Sequence, residues 1–299
     1  MAGPSSPKIA LVTGISGFTG AYVRAELESR GYRVVGLAHH ATPNAEDHVV
    51  DLCDAPALTA FVHALSPSIV LHLGAITFVP HADAFEIYRV NLFGTLNLLD
   101  ALATAKAKPS SVLLASSANV YGNPTVELVP ESYPPAPVNH YATSKLAMEH
   151  MARTYSDRLP IVITRPFNYT GVGQTERFLV PKIVAHFRRR DPVIELGNVD
   201  IERDFSDVRD VARIYAKLVE SGSAIGMTVN VGSGRSISLR SIVAKLEEFA
   251  GHRIEIRVNP AFVRSNDIAR LAADTSRLDA AIGLNERVAF ESTIAWMLD

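Results

Sequence analysis

The sequence predicts an α/β fold of the Rossmann type, a doubly wound parallel sheet of about seven strands with a smaller α/β lobe at its C-terminal side. Three observations carry the prediction. Short apolar runs alternate with helical patterns from Ile9 to Arg165. The first run leads at once into Gly14-Ile-Ser-Gly17-Phe18-Thr19-Gly20, a glycine-rich turn that opens a helix. After Pro166 the alternation is lost, and a loop with Gly171 and Gly173 is followed by helices with few strands between them.

The elements follow in order. Residues 9–13 form a buried strand, 21–29 a helix closed by Gly31, and 32–38 a second strand. Residues 49–51 give a short third strand, 55–65 a helix and 69–74 a fourth strand. One long helix is expected over about 84–105, apolar at Leu92, Leu96, Leu99 and Leu102. Residues 111–117 make the fifth strand, and 124–137, with five prolines, a loop. A helix over 141–157 and a sixth strand at 161–165 complete this half. Further on, helices are expected over 178–190, 207–220 and 239–250, a return strand at 227–231, and irregular chain at 259–267. Residues 1–165 with about 205–231 are thereby assigned to a dinucleotide-binding domain, and about 166–204 with 232–299 to a substrate-binding lobe at the sheet's carboxyl edge.

Composition narrows the function. A chain of 299 residues with 47% hydrophobic and 20% charged residues has an ordinary globular balance. A net charge of −2 provides no field to gather nucleic acid or an anionic membrane, so an anionic ligand must be met by individual arginines. The single cysteine, Cys53, excludes an internal disulfide framework and a cysteine-based zinc site, and no metal is expected. Residues 1–8 lack a basic stretch before an apolar core, and the apolar run 9–11 is too short to span a bilayer. The expectation is a soluble, cytoplasmic protein.

Gly14, Gly17 and Gly20 allow a tight turn and close approach of backbone to phosphate, and the helix N-terminus behind them attracts the anion. Phe18 and Thr19 lie in the same turn. The end of the second strand chooses the cofactor. NAD enzymes place a carboxylate there for the ribose diol, but Gly36-Leu37-Ala38-His39-His40 has no acid until Glu46. NADP(H) is preferred, with NAD(H) still possible. His39 can donate a hydrogen bond to a 2′-phosphate, unless it and His40 are simply surface residues. Asp51-Leu52 fits the adenine edge, and Leu73-Gly74-Ala75 the path of pyrophosphate and ribose.

Tyr141 and Lys145 stand four apart on a helix and share a face. A phenol titrates near ~10 and an adjacent ammonium lowers that value. Ser117, at the end of the fifth strand, faces the same crevice.

Taken together, these motifs resemble the extended short-chain dehydrogenase/reductase family, whose members act largely on nucleotide sugars. The likeness covers nearly the whole chain: the glycine turn, Asp51-Leu52, His72-Leu-Gly-Ala75, Asn91, Ser116-Ser117 with Val120-Tyr-Gly122, YxxxK, Arg165-Pro-Phe-Asn168, and Arg203-Asp-Phe205 with Asp207-Val208. It implies that Tyr141 is the acid/base, that Lys145 holds the nicotinamide ribose and lowers the tyrosine's pKa, and that Ser117 hydrogen-bonds the reacting oxygen. Asn91 and Phe167 join the cofactor contacts. Within the family, 4,6-dehydratases carry Thr-Asp-Glu at the catalytic serine, whereas Ala118 and Asn119 follow Ser117 here. Galactose-type epimerases usually keep the missing second-strand acid, and Cys53 lies in the wrong place for a fucose-synthase cysteine.

What remains is simple reduction. The chain is similar to reductases of GDP-4-keto-6-deoxymannose, which supply GDP-rhamnose for polysaccharide synthesis. That likeness rests on Thr77-Phe-Val-Pro80, residues 165–174, 200–205 and 259–267. It implies Thr77 at the substrate, Asn168 at the sugar or diphosphate, Arg203 at the phosphates, and Arg264 with Asp267 at the nucleotide end. Gly74, where Ala is commoner, and the histidines at the cofactor strand depart from the pattern. An epimerase with tightly bound NAD and a non-catalytic NADP(H) sensor are the alternatives. Apolar faces on the helices at 91–105 and 141–157 point to a homodimer through a four-helix bundle, or else to packing on the chain's own sheet.

Overall fold

The computed structural model describes residues 8–77, 83–262, 270–283 and 286–299. In chain order its strands are β1 (Ile9–Thr13), β2 (Arg33–Ala38), β3 (Asp47–Val49), β4 (Ile69–His72), β5 (Ser111–Ala115), β6 (Ile161–Pro166), β7 (Asn168–Thr170), β8 (Val193–Leu196), β9 (Glu202–Asp207), β10 (Thr228–Val231), β11 (Ser236–Ser238), β12 (Glu255–Val258) and β13 (Arg270–Leu271). The helices are α1 (Phe18–Ser29), α2 (Ala55–Leu65), α3 (Ala84–Tyr88), α4 (Thr95–Thr104), α5 (His140–Arg153), α6 (Leu179–Arg189), α7 (Val208–Glu220), α8 (Leu239–Ala250), α9 (Ser276–Ile282) and α10 (Phe290–Leu298).

Seven strands form one parallel sheet in the order β10-β6-β5-β4-β1-β2-β3. The order reverses between β1 and β4, and the crevice outside the carboxyl ends of the strands at such a point is where ligands bind. The central strands are apolar on both faces because helices cover both. Val23 and Leu27 of α1 and Ile214 and Leu218 of α7 pack one face. Leu58 of α2, Leu98 and Leu102 of α4 and Met148 of α5 pack the other. The apolar faces of α4 and α5 therefore bury much of their surface on the chain's own sheet.

The remaining strands build the lobe. β11, β9 and β13 form a small sheet with β7 beside β9, and β12 pairs with β8. Ile183 and Phe187 of α6, Ile242 and Leu246 of α8, and Ile294 of α10 close a separate core around Phe205 and Leu196.

Three expectations are corrected. The third strand lies at Asp47–Val49, not 49–51, because β3 pairs with β2 from Gly36↔Asp47 onward and the Asp47 carboxylate turns inward to Arg24 and Thr42. The helix expected over 84–105 is broken into α3 and α4 by a π turn, Arg89–Gly94. An extra residue in that turn faces Asn91 inward, a distortion often found at functional sites. Helix α5 stops at Arg153 rather than 157.

Candidate active site

The glycine turn is shaped by its neighbours. Gly14 has φ +69°, and a Cβ there would come within 2.7 Å of the Gly74 nitrogen, so neither backbone nor space admits a side chain. Gly74 is itself constrained: a Cβ would stand 3.1 Å from both Leu52 Cδ1 and Thr13 Oγ1. A side chain there would need Leu52 and Thr13 to give way by a few tenths of an ångström. Helix α1 begins at Gly17 with no side-chain cap, leaving first-turn N–H groups for an anion. A close-packed, side-chain-free turn before an uncapped helix fits a dinucleotide pyrophosphate.

Around it, Leu52, Leu73, Gly74 and Ala75 are half-buried. Asp51 is exposed and accepts a hydrogen bond from the Cys53 amide at 2.8 Å. His39 and His40 are exposed just past β2, their rings edge to face at 5.4 Å.

Ser117, Tyr141 and Lys145 meet at the carboxyl edge. Asn139 caps α5 by accepting from the Ala142 amide at 2.8 Å, which fixes where Tyr141 enters the crevice. Tyr141 and Ser117 are each 7% exposed and Lys145 is 3% exposed. Ser117 Oγ accepts from the Asn119 amide at 3.2 Å and lies close enough to the Tyr141 hydroxyl to influence its ionisation. Burial pushes the phenol up to about 12, the serine contact opposes that rise, and the neighbouring Tyr169 adds to it. The Lys145 ammonium donates to the Ala115 carbonyl at 2.8 Å, and burial is the dominant influence on both groups. The lysine itself is pushed down to about 8 by burial, partly offset by the Glu149 carboxylate.

Two residues expected at the cofactor have side chains held by the chain itself. Asn91 is fully buried; its Oδ1 accepts from the Ile76 amide at 2.8 Å, and its Nδ2 donates to the Ile76 carbonyl and to Ser144 Oγ, both at 3.1 Å. It joins the loop after β4 to α5 and presents no free polar atom of its own. Phe167 is 3% exposed, its ring packed with Tyr121, Val129 and Leu271, so that ring belongs to the core.

Thr77 and Asn168 are exposed. Arg203 is half-buried in β9 and donates to the Glu202 carbonyl at 2.8 Å. Arg264 and Asp267 lie outside the described residues.

Several contacts escaped sequence reasoning. Glu149, one turn beyond Lys145, is fully buried and takes Arg165 in a two-pronged pair at 2.9 and 2.7 Å, together with the Ser116 hydroxyl at 2.6 Å. Arg165 lies over the Tyr121 ring, whose hydroxyl donates to Asn230 at 2.7 Å. The i+4 spacing of Glu149 was a signal in plain sight; its partner, in another element, was not. His72 is buried between Thr13 and Thr95 at 2.7 and 2.8 Å, and burial lowers it to about 3. Among the described residues no cluster could hold a metal ion, and no helix is long and apolar enough to cross a membrane.

A glycine turn at the first crossover of a doubly wound sheet, with serine, tyrosine and lysine converging at its carboxyl edge, defines the extended short-chain dehydrogenase/reductase class. The chain belongs to this class of NAD(P)-dependent enzymes, in the family described as GDP-mannose 4,6 dehydratase, whose pattern matches residues 11–297. It is 37% identical over 282 residues to a GDP-6-deoxy-D-talose 4-dehydrogenase of Aggregatibacter actinomycetemcomitans, covering 93% of this chain and 92% of the relative. It is 33% identical to the GDP-6-deoxy-D-mannose reductase of Pseudomonas aeruginosa, covering 96% and 95%.

Among solved structures, a candidate epimerase from Burkholderia cenocepacia J2315 superposes with TM-score 0.92 at 45% identity, covering 99% and 98% of the two chains. RMD from Pseudomonas aeruginosa, complexed with NADPH, superposes with TM-score 0.85 at 29% identity, covering 97% of each.

Proposed function

We propose that this enzyme reduces the 4-keto group of a 4-keto-6-deoxy nucleotide sugar with NADPH, most specifically GDP-4-keto-6-deoxymannose to GDP-D-rhamnose, for polysaccharide synthesis. One observation carries the choice of reduction over dehydration. The short turn that follows Ser117, Ala118–Tyr121, holds no carboxylate, so the elimination of water has no acid and base beside the sugar. The two GDP-sugar relatives, one named a 4-dehydrogenase and one a reductase, support the same carbonyl chemistry at the same kind of substrate.

Gly14, Gly17, Phe18, Thr19 and Gly20 would hold the pyrophosphate, Asp51 and Leu52 the adenine edge, and Lys145 the nicotinamide ribose. When bound, the reduced nicotinamide supplies the hydride. Ser117 donates a hydrogen bond to the substrate's carbonyl oxygen. Tyr141 gives that oxygen its proton as negative charge develops there, leaving a phenolate that the Lys145 ammonium stabilises. A phenol raised to about 12 stays protonated through the physiological range and is ready as the donor. Asn168 and Thr77 would meet the sugar, Arg203 the diphosphate, and Arg264 with Asp267 the guanine end.

A homodimer is part of the proposal. Phe85 and Phe93 stand 72% and 54% exposed on the α3–α4 rod, outside the face that covers the sheet. Gel filtration giving a monomer at working concentration would refute this part.

The test of function is to incubate the protein with NADPH and GDP-4-keto-6-deoxymannose and identify the product. Loss of NADPH absorbance with formation of GDP-rhamnose supports the reading, and GDP-6-deoxytalose would move the hydride to the other face. Stoichiometric NAD that co-purifies and does not exchange would replace reduction by epimerisation, the reaction suggested for the Burkholderia structure.

A further inference from the structure

We propose that Tyr169 couples the binding of the dinucleotide to the binding of the nucleotide sugar, acting as a positioning residue between the two. The inference rests on the function proposed above, which puts the cofactor on the glycine turn and the sugar at β7. Tyr169 sits in the middle of β7, between Asn168 and Thr170. Successive side chains of a strand leave it on opposite sides. Asn168 therefore faces one way, exposed toward the sugar, while Tyr169 faces the other, toward α1.

There its hydroxyl shares a 2.8 Å hydrogen bond with Thr19 Oγ1, across 150 residues of chain. Its ring stacks on Phe18, centroids 6.2 Å apart at 12°. Both partners belong to the turn that would cradle the pyrophosphate.

A second tie runs parallel to the first. The Tyr22 hydroxyl donates to the Val172 carbonyl at 2.6 Å, and the Tyr22 ring meets the edge of Trp296 from the lobe at 6.2 Å. The first two turns of α1 are thus fastened to the segment 169–172 by two hydrogen bonds, three residues apart on each side. A ligand that fixes the turn fixes β7 with it, and a ligand that fixes β7 prepares the turn. Binding at one site then lowers the ordering required at the other, and the effect is reciprocal.

The experiment is a titration of NADPH, followed by its fluorescence, with and without saturating GDP-mannose, which has no keto group to reduce. In the unaltered enzyme GDP-mannose should raise NADPH affinity by about fivefold or more, and NADPH should raise GDP-mannose affinity by the same factor. Tyr169→Phe keeps the ring on Phe18 and removes only the hydroxyl. Its coupling factor should fall to within about twofold of unity, and adding Thr19→Val to it should cause no further fall.

The factor is a ratio taken within each variant, so a uniform loss of affinity or stability does not mimic the result. Thr19→Val alone removes the same bond from the other side, should Tyr169→Phe fail to fold. Tyr32→Phe, a phenol at the opposite end of the sheet, should retain the full factor. Independent binding of the two ligands to the unaltered enzyme overturns the inference and leaves the proposed function standing. So does a Tyr169→Phe enzyme with undiminished coupling. Failure of NADPH to bind the unaltered enzyme overturns both.

Discussion

Two cations lie buried within a few residues of each other in space and differ in what faces them. Lys145 and Arg165 are each 3% exposed. Arg165 meets the Glu149 carboxylate with two nitrogens, and that pairing raises its pKa against the cost of burial. Lys145 meets a neutral carbonyl and is pushed down to about 8. A buried charge with a full partner is permanent and holds structure together. One without a full partner becomes titratable near neutral pH, which is where a catalytic group has to be. The contrast sets the scaffold pair of Glu149 against the proposed chemistry of Lys145 along a single helix, α5, which carries both.

The largest test lies beside this pair. Tyr141→Phe should fold and bind NADPH but lose about 10²–10⁴-fold in turnover, the usual worth of a positioned proton donor; steady-state kinetics at saturating NADPH would show it. Next come the two cations themselves. Glu149→Gln leaves Arg165 buried without its counter-charge and should lower unfolding stability by about 3–5 kcal/mol in urea titrations. Lys145→Met removes a charge that burial already disfavours, so its melting temperature should equal or exceed that of the unaltered protein while turnover collapses. Equal destabilisation by both variants would erase the distinction between them.

A smaller effect is expected from pH. The Lys145 value in the folded protein, about 8, lies below its ordinary 10.5, so the unfolded chain binds the extra proton between them. Stability should therefore rise with pH across that window, relative to Lys145→Met measured under the same conditions. If Lys145 acts as proposed, kcat/KM should move the other way and fall as pH passes about 8, where its ammonium is lost. At the acid end His72, lowered from 6.5 to about 3, makes the protein lose stability as pH falls through that interval.

The sheet was readable because its signals are local. Runs such as residues 9–13 and 111–115 are apolar on both faces and bounded by turns. The helix expected over 239–250 has those bounds in the fold, where Ser238 caps one end and Gly251 takes φ +67° at the other. The lobe was far less legible. Strand β9 reads Glu-Arg-Asp-Phe-Ser-Asp, and its burial comes from β7, β11 and β13, all distant in sequence. Such short polar strands have no pattern of their own.

At the site, residue types at fixed spacing led to Ser117, Tyr141 and Lys145. Their environments were invisible. Nothing in the sequence announces that Lys145 points at Ala115, that Asn91 is fully occupied by Ile76 and Ser144, or that Tyr169 reaches Thr19. Each depends on a contact between elements that only the folded chain supplies.

Strand β7 has only three residues, Asn168–Thr170. Inserting or deleting one residue between Pro166 and Gly171 would exchange the directions in which Asn168 and Tyr169 point. Length in this stretch is therefore constrained far more tightly than identity. A mutagenesis library aimed at accepting other sugars should vary the exposed Asn168, keep the buried Thr170 that donates to Gln174, and hold the spacing fixed.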